Sequence, residues 1–217
     1  SWRSAMAAEA DAVIVAIGND LGWAREGHDA HPLYGTSVPT AQLKLVSAAA
    51  AAAKSPITVI VFTASPLDIS AVLVNPNVGA VIHVGFPALA VLGLGPLLYG
   101  HRSPAGRLIQ TIYPHDFAAQ VSIFDMNMRP GLSAFPAPNC TLPREQCPRT
   151  TNPGRTHRFY TGKPVVPFGF GLSYSSFKYS FTNEPPPALS LDPLRRLLDH
   201  HAASGRTFLS KAGAAKE

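Results

Sequence analysis

Charged residues and cysteines are both scarce in this sequence. Only 14% of its 217 residues are charged, against 46% that are hydrophobic, and 18 basic and 13 acidic residues leave a net charge of +5. The basic residues are dispersed rather than clustered, which argues against a nucleic-acid-binding module. No apolar run reaches the roughly 20 residues needed to cross a bilayer, so no membrane span is expected. A chain of this length can bury one sizeable core but is short for two full domains.

The sequence also lacks a Met start and a basic segment followed by an apolar one, as a secretion signal would have. A start at Ser1 indicates a processed chain or a fragment. The start of the chain therefore leaves the cellular compartment open.

The only two cysteines, Cys140 and Cys147, lie in one proline-rich loop. Two sulfurs cannot form a four-ligand zinc site alone, and the eight histidines are dispersed, so we expect neither a metal nor a cofactor. In the same loop Asn139 begins an Asn-Cys-Thr glycosylation pattern. A sequon beside a local cysteine pair favours a secreted, extracellular glycoprotein with a Cys140–Cys147 disulfide. Two free thiols in a cytosolic loop are the alternative.

Apolar runs alternate with helical segments in the first half of the chain. Continuous apolar runs are typical of strands buried on both faces, and their alternation with helices predicts βαβ crossovers. The expected fold class is α/β, with a mostly parallel sheet sandwiched by helices in the flavodoxin-like manner. The predicted strands are 11–18, 57–63, 78–85 and 106–113, and the predicted helices are 40–54 (with Thr40 as N-cap), 66–74 and 88–99.

Regular structure is harder to predict after residue 113. Six prolines make 115–153 a long loop that we expect to lie against another surface. Regular structure is expected to return around 158–160 and in a half-buried strand at 177–181. A short helix is predicted at 194–200, with Asp192 as its cap and Pro193 at its first position. The predicted organisation is a domain over 1–180, with its core at about 10–130 and a loop and closing strands at 131–180, followed by a linker or disordered tail over 181–217.

Six segments occur in an order that matches a known family. They are 11–29, 64–68 (Ala-Ser-Pro-Leu-Asp), 103–108 (Ser-Pro-Ala-Gly-Arg-Leu), 124–129 (Phe-Asp-Met-Asn-Met-Arg), 152–160 (Asn-Pro-Gly-Arg-Thr-His-Arg-Phe-Tyr) and 167–174 (Pro-Phe-Gly-Phe-Gly-Leu-Ser-Tyr). Together they resemble the C-terminal α/β sandwich domain of glycoside hydrolase family 3, particularly its β-xylosidase and β-glucosidase-like members. The resemblance covers roughly residues 10 to 180.

The resemblance implies a hydrolase for β-linked oligosaccharides or aryl glycosides. Retaining hydrolysis needs two carboxyl groups about 5 Å apart. In the family the nucleophilic Asp lies in a preceding (β/α)8 barrel, and the acid/base Glu comes from a loop of the sandwich domain. A barrel takes about 250 residues, which this chain does not have. The barrel is therefore an expected partner, and the isolated chain is expected to be inactive.

The loop after the first strand holds the candidate acid. The family pattern there is Gly-x-Asp, three residues, then Glu-x-Glu-Gly-x-Asp-Arg, and Glu26 stands at its second Glu, whereas Ala24 replaces the first and Ala30 the Arg. Glu26 is thus the candidate acid/base, with a solvated loop carboxylate as the alternative. A general acid must keep its proton near working pH. Trp23 could cover it, and Asp20 or Asp29 could supply a negative neighbour, while Arg25 would act against it.

Two arginines of the fifth segment, Arg155 and Arg158, are expected to contact substrate or to bind a carboxylate across a domain interface. Solvation of a loop is the alternative for both. The replacements at Ala24 and Ala30, with Phe86 and Ala88 where the family usually has Tyr and Gly, leave open a second function, a catalytically degenerate binding or interface module. A flavodoxin-like nucleotide binder ranks last, because no Gly-x-Gly-x-x-Gly follows Gly18.

Overall fold

A computed structural model describes residues 2–28, 30, 36–86 and 88–204 of the chain. It divides into two units, Ser1–Ser175 and Ser176–Glu217. The strands of the first unit are Ile14–Gly18 (β1), Ile57–Phe62 (β2), Val78–Gly85 (β3), Gly131–Pro136 (β4) and Arg149–Asn152 (β5). The helices are Trp2–Glu9 (α1), Thr40–Ala52 (α2), Ser70–Leu73 (α3), Leu94–Leu98 (α4), Phe117–Gln120 (α5), Thr156–Phe159 (α6) and, in the second unit, Asp192–Ala203 (α7), with 3₁₀ turns at Leu89–Gly93 and Arg144–Gln146.

A parallel sheet in the order β1-β2-β3 forms the centre of the first unit. In the register of this sheet, Val59 of β2 lies between Val15 of β1 and Val81 of β3. Val59 and Val61 have no exposed surface, and each such side chain contributes about 1.5–3 kcal/mol through burial. The predicted α/β fold with a parallel sheet is confirmed.

Strand β1 differs from its prediction in length and burial. It begins at Ile14 rather than at residue 11, and its residues alternate between exposed and buried. Ile14 is 51% exposed, whereas Ile17 is buried. The expectation of burial on both faces is wrong here, because β1 is an edge strand of the described sheet and only one of its faces packs on the core.

Helix α2 confirms the predicted helix at 40–54, but its cap is different. Pro39 is the N-cap and Thr40 the first helical residue. The carbonyl of Pro39 accepts the first two hydrogen bonds of the helix, from the backbone N–H groups of Gln42 and Leu43. Thr40 is therefore not the cap. Helix α2 buries small residues, Val46, Ala49 and Ala50, and this permits close packing on the sheet.

The predicted fourth strand, 106–113, is absent as a strand. Residues Leu108 and Ile112 instead exchange backbone hydrogen bonds with the segment 165–170, and only Ile112 and Val166 form a β-bridge. Pro167 has no N–H group and so cannot extend the ladder between them. Ile112 nevertheless has no exposed surface, so the segment belongs to the core.

Two predicted helices are shorter than expected. The segment 66–74 is helical only in α3, after Asp68 accepts a hydrogen bond from the backbone N–H of Ser70. The segment 88–99 divides into a 3₁₀ turn, Leu89–Gly93, and the short helix α4. Gly93, Gly95 and Pro96 explain this division, because Gly and Pro are the two poorest residues for a helix interior.

The segment predicted as a loop, 115–153, contains helix α5 and an antiparallel pair of strands. Strands β4 and β5 pair with Gly131 opposite Asn152 and Pro136 opposite Arg149. A disulfide between Cys140 and Cys147, with Cα atoms 5.9 Å apart, lies in the connection between the two strands. This pair of strands was not predicted, because prolines in a sequence usually indicate loops.

The second unit contains α7, which extends the predicted helix of 194–200 to Asp192–Ala203. Its N-cap is Leu191, so Asp192 is not the cap but the first helical residue, followed by Pro193. The predicted strand at 177–181 is wrong: no strand forms there, and Tyr179 is 93% exposed. Alternating aromatic and polar residues cannot form a strand without a neighbour to accept their backbone hydrogen bonds. Across the described residues, no helix combines the length and apolar character that a bilayer crossing requires.

Candidate functional site

The candidate site lies at the carboxyl edge of the parallel sheet, where ligands usually bind in open α/β folds. The loops that follow β1, β2 and β3 surround a shallow hollow of ≈ 120 Å³. Its lining residues are Asn19, Asp20, Leu21, Ala24, Ala64, Ser65 and Phe86. The hollow is thus formed by three loops that are distant from one another in the sequence.

Gly18 and Gln42 fix the start of the loop after β1. The Gly18 N–H donates to Gln42 Oε1, and Gln42 Nε2 donates to the Gly18 carbonyl, both at 2.8 Å. Gly18 has φ +149°, and a Cβ there would lie 1.8 Å from the carbonyl oxygen of Phe62. Only glycine fits at this position. Asn19 then donates from Nδ2 to Ser65 Oγ at 3.2 Å, which ties the loop to the segment after β2.

Asp20 shapes the next turn of this loop. Its Oδ1 accepts hydrogen bonds from the backbone N–H groups of Gly22, at 2.9 Å, and Trp23, at 3.2 Å. The carboxylate is thereby engaged with the backbone of its own loop. Trp23 is half-buried in the same loop.

Glu26 lies at the tip of a tight turn. Arg25 and His28 exchange two backbone hydrogen bonds of 2.9 Å across it, and Gly27 adopts φ +73°, a conformation that favours glycine. Glu26 is exposed, and no described residue donates a hydrogen bond to its carboxylate. Arg25 directs its guanidinium to the Leu21 carbonyl, 3.2 Å away. Asp29, the other carboxylate predicted for this site, lies outside the described residues.

Ala24 lines the hollow, whereas Glu26 does not. Phe86, which is 49% exposed, contributes to the same wall. The hollow is therefore lined by two of the four positions at which this sequence departs from the pattern of the family it resembles, Ala24 and Phe86.

Asp68 is a buried carboxylate of the neighbouring loop that sequence reasoning did not single out as a site residue. Its Oδ1 accepts from the Ser70 N–H at 2.8 Å, and its Oδ2 accepts from the His115 N–H at 2.7 Å. The His115 ring lies 3.4 Å from the same oxygen. Burial acts to raise the pKa of Asp68, but the hydrogen bonds from Ser70 and His115 outweigh it and lower the pKa. Asp68 thus joins two loops rather than offering a free carboxylate.

Arg155 belongs to a second network, around Asp125. The Arg155 Nη2 donates to the backbone carbonyls of Asp125, at 2.7 Å, and Ser122, at 3.3 Å. Asn152 donates to Asp125 Oδ2 at 3.3 Å. Burial acts to raise the pKa of Asp125, but hydrogen bonds from Ser133, Asn127 and Asn152 and the charge of Arg155 together lower it.

Arg158 has a different environment from Arg155. It is exposed, and its guanidinium carbon lies 5.4 Å from the centre of the Phe159 ring. Arg155 thus precedes α6 and Arg158 lies within it, and the two side chains share no partner among the described residues. The contacts of both arginines lie among segments other than the loop that carries Trp23 and Glu26.

The glycosylation candidate and the cysteine pair lie together, as the sequence indicates. Asn139 is exposed in a turn next to the Cys140–Cys147 disulfide. In the part of the chain that the structure describes, no three His, Cys, Asp or Glu side chains are grouped so that they could hold a metal ion.

A family model, sequence relatives and solved structures all relate this chain to the same family. A family model described as the glycosyl hydrolase family 3 C-terminal domain matches residues 3–174. Probable beta-D-xylosidase 6 of Arabidopsis thaliana is 36% identical over 182 residues, which are 83% of this chain and 20% of that protein. Beta-xylosidase/alpha-L-arabinofuranosidase 2 of Medicago sativa subsp. varia is 32% identical over 181 residues, 83% of this chain and 21% of that protein.

Two solved structures have the same fold. One is a GH3 exo-beta-xylosidase, XlnD, in complex with a xylobiose aziridine probe, with a TM-score of 0.65, 33% identity, and coverage of 80% of this chain and 20% of that one. The other is a beta-D-glucoside glucohydrolase from Trichoderma reesei, with a TM-score of 0.56, 25% identity, and coverage of 82% and 23%. The chain spans about a fifth of the length of the curated relatives it matches.

Proposed function

Since the chain belongs to glycosyl hydrolase family 3, as a C-terminal domain of that family, we propose that it supplies the acid/base loop of a β-xylosidase or β-glucosidase. The rest of the site would come from a (β/α)8 barrel elsewhere in a longer protein. The names of the relatives, xylosidases and glucosidases, support the substrate class. The chain spans about a fifth of each relative, which is consistent with a site shared with another domain.

The position of the loop over residues 19–28 is the observation that carries this proposal. Gln42 and Ser65 hold its start at the carboxyl edge of the sheet, and the turn from Arg25 to His28 presents Glu26 to solvent. A carboxyl group presented in this way can reach a bond held by a second domain. Docking of that domain would exclude water from Glu26 and from the bond to be cleaved.

The test is Glu26→Ala in the longer protein, with Glu145→Ala as the matched control. Glu145 is also an exposed glutamate, but it lies in the 3₁₀ turn between the two cysteines. Loss of a proton donor slows substrates with poor leaving groups most, because an activated aryl group leaves without protonation. We expect about 10²-fold or greater loss of kcat/KM on xylobiose and a smaller loss on nitrophenyl xyloside. Added azide should restore the activity of the variant on the aryl substrate.

Equal effects of Glu26→Ala on both substrates would contradict the acid role of Glu26. A second candidate function, a catalytically degenerate module, would then be favoured by the position of Ala24 in the hollow. The reciprocal variant Ala24→Glu distinguishes the two functions. Activity gained by Ala24→Glu in a protein that is otherwise inactive would show that the acid was lost at that position.

We further propose that the protein is secreted. The disulfide between Cys140 and Cys147 and the exposed sequon at Asn139 support this location, because disulfides persist in oxidising compartments. Treatment of the natively produced protein with an N-glycosidase should reduce its mass. Cytosolic material with an unmodified Asn139 would contradict secretion.

A further inference from the structure

One exposed surface of the first unit brings cationic groups and aromatic rings together, outside the candidate site. The guanidinium carbon of Arg129 lies 4.8 Å from the centre of the Phe159 ring, and that of Arg158 lies 5.4 Å from the same centre. Beside them His157 stacks on Phe168, with 4.3 Å between ring centres and 23° between planes. These five residues are called the cation–aromatic patch.

The two guanidiniums of the patch have unused hydrogen-bonding capacity. Among the described residues neither has a carboxylate within 4.0 Å; the ion pairs found there join Lys54 with Asp11 and His115 with Asp68. A guanidinium offers five N–H donors in a planar fork that fits a carboxylate. Contact with the Phe159 ring restricts both side chains before any partner arrives, so that binding costs less conformational entropy.

The backbone beneath the patch is held in a strained conformation. Thr156, the first residue of α6, has φ +62°, which costs a β-branched residue about 1–3 kcal/mol. The surrounding structure enforces it. The Thr156 N–H donates to the Tyr113 hydroxyl at 2.6 Å, Arg155 is bonded to two carbonyls, and Thr161 Oγ1 donates to the Pro153 carbonyl at 2.9 Å. Strain maintained by several contacts is characteristic of functional segments.

We infer that the cation–aromatic patch docks an acidic polypeptide segment. Two guanidiniums on one ring favour a ligand with planar oxygen pairs, as the carboxylates of a polypeptide provide. A sugar would need an open ring face for stacking, but guanidiniums lie over Phe159 and the His157 ring covers a face of Phe168. Arginine and aromatic residues in one rigid cluster are instead typical of the centres of protein–protein interfaces. This inference does not depend on the proposed hydrolase activity.

The test uses this chain and a fluorescent decaglutamate peptide, titrated by anisotropy at low salt. We expect the double variant Arg129→Ala/Arg158→Ala to weaken binding by about tenfold or more. The matched control, Arg102→Ala/Arg144→Ala, also removes two positive charges, from exposed positions that have no ring contact among the described residues. It should weaken binding less than about twofold. Near-equal losses in the two double variants would show only general attraction to a basic protein and would overturn the inference.

Two further measurements test the guanidinium geometry and the source of the carboxylates. Arg129→Lys/Arg158→Lys preserves charge but not the planar fork, so its binding should fall well below wild type at an unchanged melting temperature. Wild-type affinity in this variant would contradict the proposed geometry.

Polygalacturonate, at equal carboxylate concentration, tests the other source of carboxylates. Tighter binding of polygalacturonate than of decaglutamate would make the patch a polysaccharide site and overturn the inference.

Discussion

Buried carboxylates connect segments that are distant in sequence. Asp68, only 8% exposed, accepts backbone hydrogen bonds both from its own loop and from His115, 47 residues away. Asp125 accepts a backbone hydrogen bond from Asn127 in its own loop and a side-chain hydrogen bond from Asn152, 27 residues away. Each carboxylate takes the place of backbone pairing that the short elements around it cannot provide.

The variant Asp68→Asn should lower the free energy of unfolding at pH 7 by about 1–3 kcal/mol. An amide keeps one acceptor oxygen but turns an NH2 group toward one of the two N–H donors. Urea unfolding measures the difference. Asp116→Asn, at an exposed neighbouring carboxylate, should change the free energy by less than about 0.5 kcal/mol.

The pH dependence of Asp68→Asn has a defined sign. The pKa of Asp68 is lowered from its ordinary value of 3.8 in the folded chain, so its stabilisation is fully present above that value and is lost as pH falls through the lower folded pKa. The difference between wild type and variant should therefore be constant near neutral pH and should shrink below about pH 4. A difference that persists unchanged at pH 2.5 would contradict the role of the charge.

The sequence could indicate Glu26 but not its surroundings. Order and spacing identified the loop, whereas Gln42 and Ser65, which anchor its start, come from other elements. Which side chain enters the hollow depends on the turn geometry set by Asp20, and this is why Ala24 lies there and Glu26 does not. Arg129, which completes the patch, carries no sequence signal that links it to Phe159.

At the scale of elements, the bounds of β2 and β3 were the most predictable, because both strands are apolar runs and both occur within about a residue of the expected bounds. Only β2 is buried, whereas no residue of β3 is, so the expected burial on both faces is wrong for β3. The pair β4–β5 was missed because its pairing is nonlocal and its flanks are rich in proline. The strand predicted at 106–113 did not form because Pro167 belongs to its pairing partner, and a single segment does not reveal its partner.

The junction of β1 with its loop depends on one glycine. Gly18→Ala would place a Cβ 1.8 Å from the Phe62 carbonyl oxygen, so the strand end or the loop must move. We expect a loss of about 3 kcal/mol or more in unfolding free energy, or failure to fold. Gly93→Ala is the control, since a Cβ there has no atom within 4 Å, and it should change stability by about 1 kcal/mol or less. Similar melting temperatures for the two variants would contradict this account.

The disulfide should stabilise the connection between β4 and β5. Cys140→Ser/Cys147→Ser should lower unfolding free energy by up to about 3 kcal/mol, because the unfolded chain regains conformational freedom. Thermal unfolding measures this loss. Intact mass of the natively produced protein, before and after reduction, checks the bond itself. Two freely alkylated thiols in unreduced material would contradict both the bridge and the oxidising compartment.

At the scale of the whole molecule, this chain by itself should not hydrolyse glycosides. It presents one candidate carboxylate of the two that the reaction needs. Release of nitrophenol from β-xyloside and β-glucoside reporters should stay at the level of buffer, whereas a longer protein that includes the barrel should give ordinary turnover. Turnover at ordinary enzyme rates by the 217-residue chain would contradict the proposal of a shared site.

The asymmetry between β2 and β1 also sets the rates at which their amide protons exchange with deuterium. The amides of Val59 and Val61 lie in a strand that has a neighbour on each side. Their exchange should require opening of the entire sheet, with a free energy close to that of global unfolding. In β1, at the edge of the described sheet, the amides not bonded to β2 should exchange through local fluctuations. Deuterium uptake, followed peptide by peptide, would thus begin in the strand that carries the candidate loop and reach the strand beside it last.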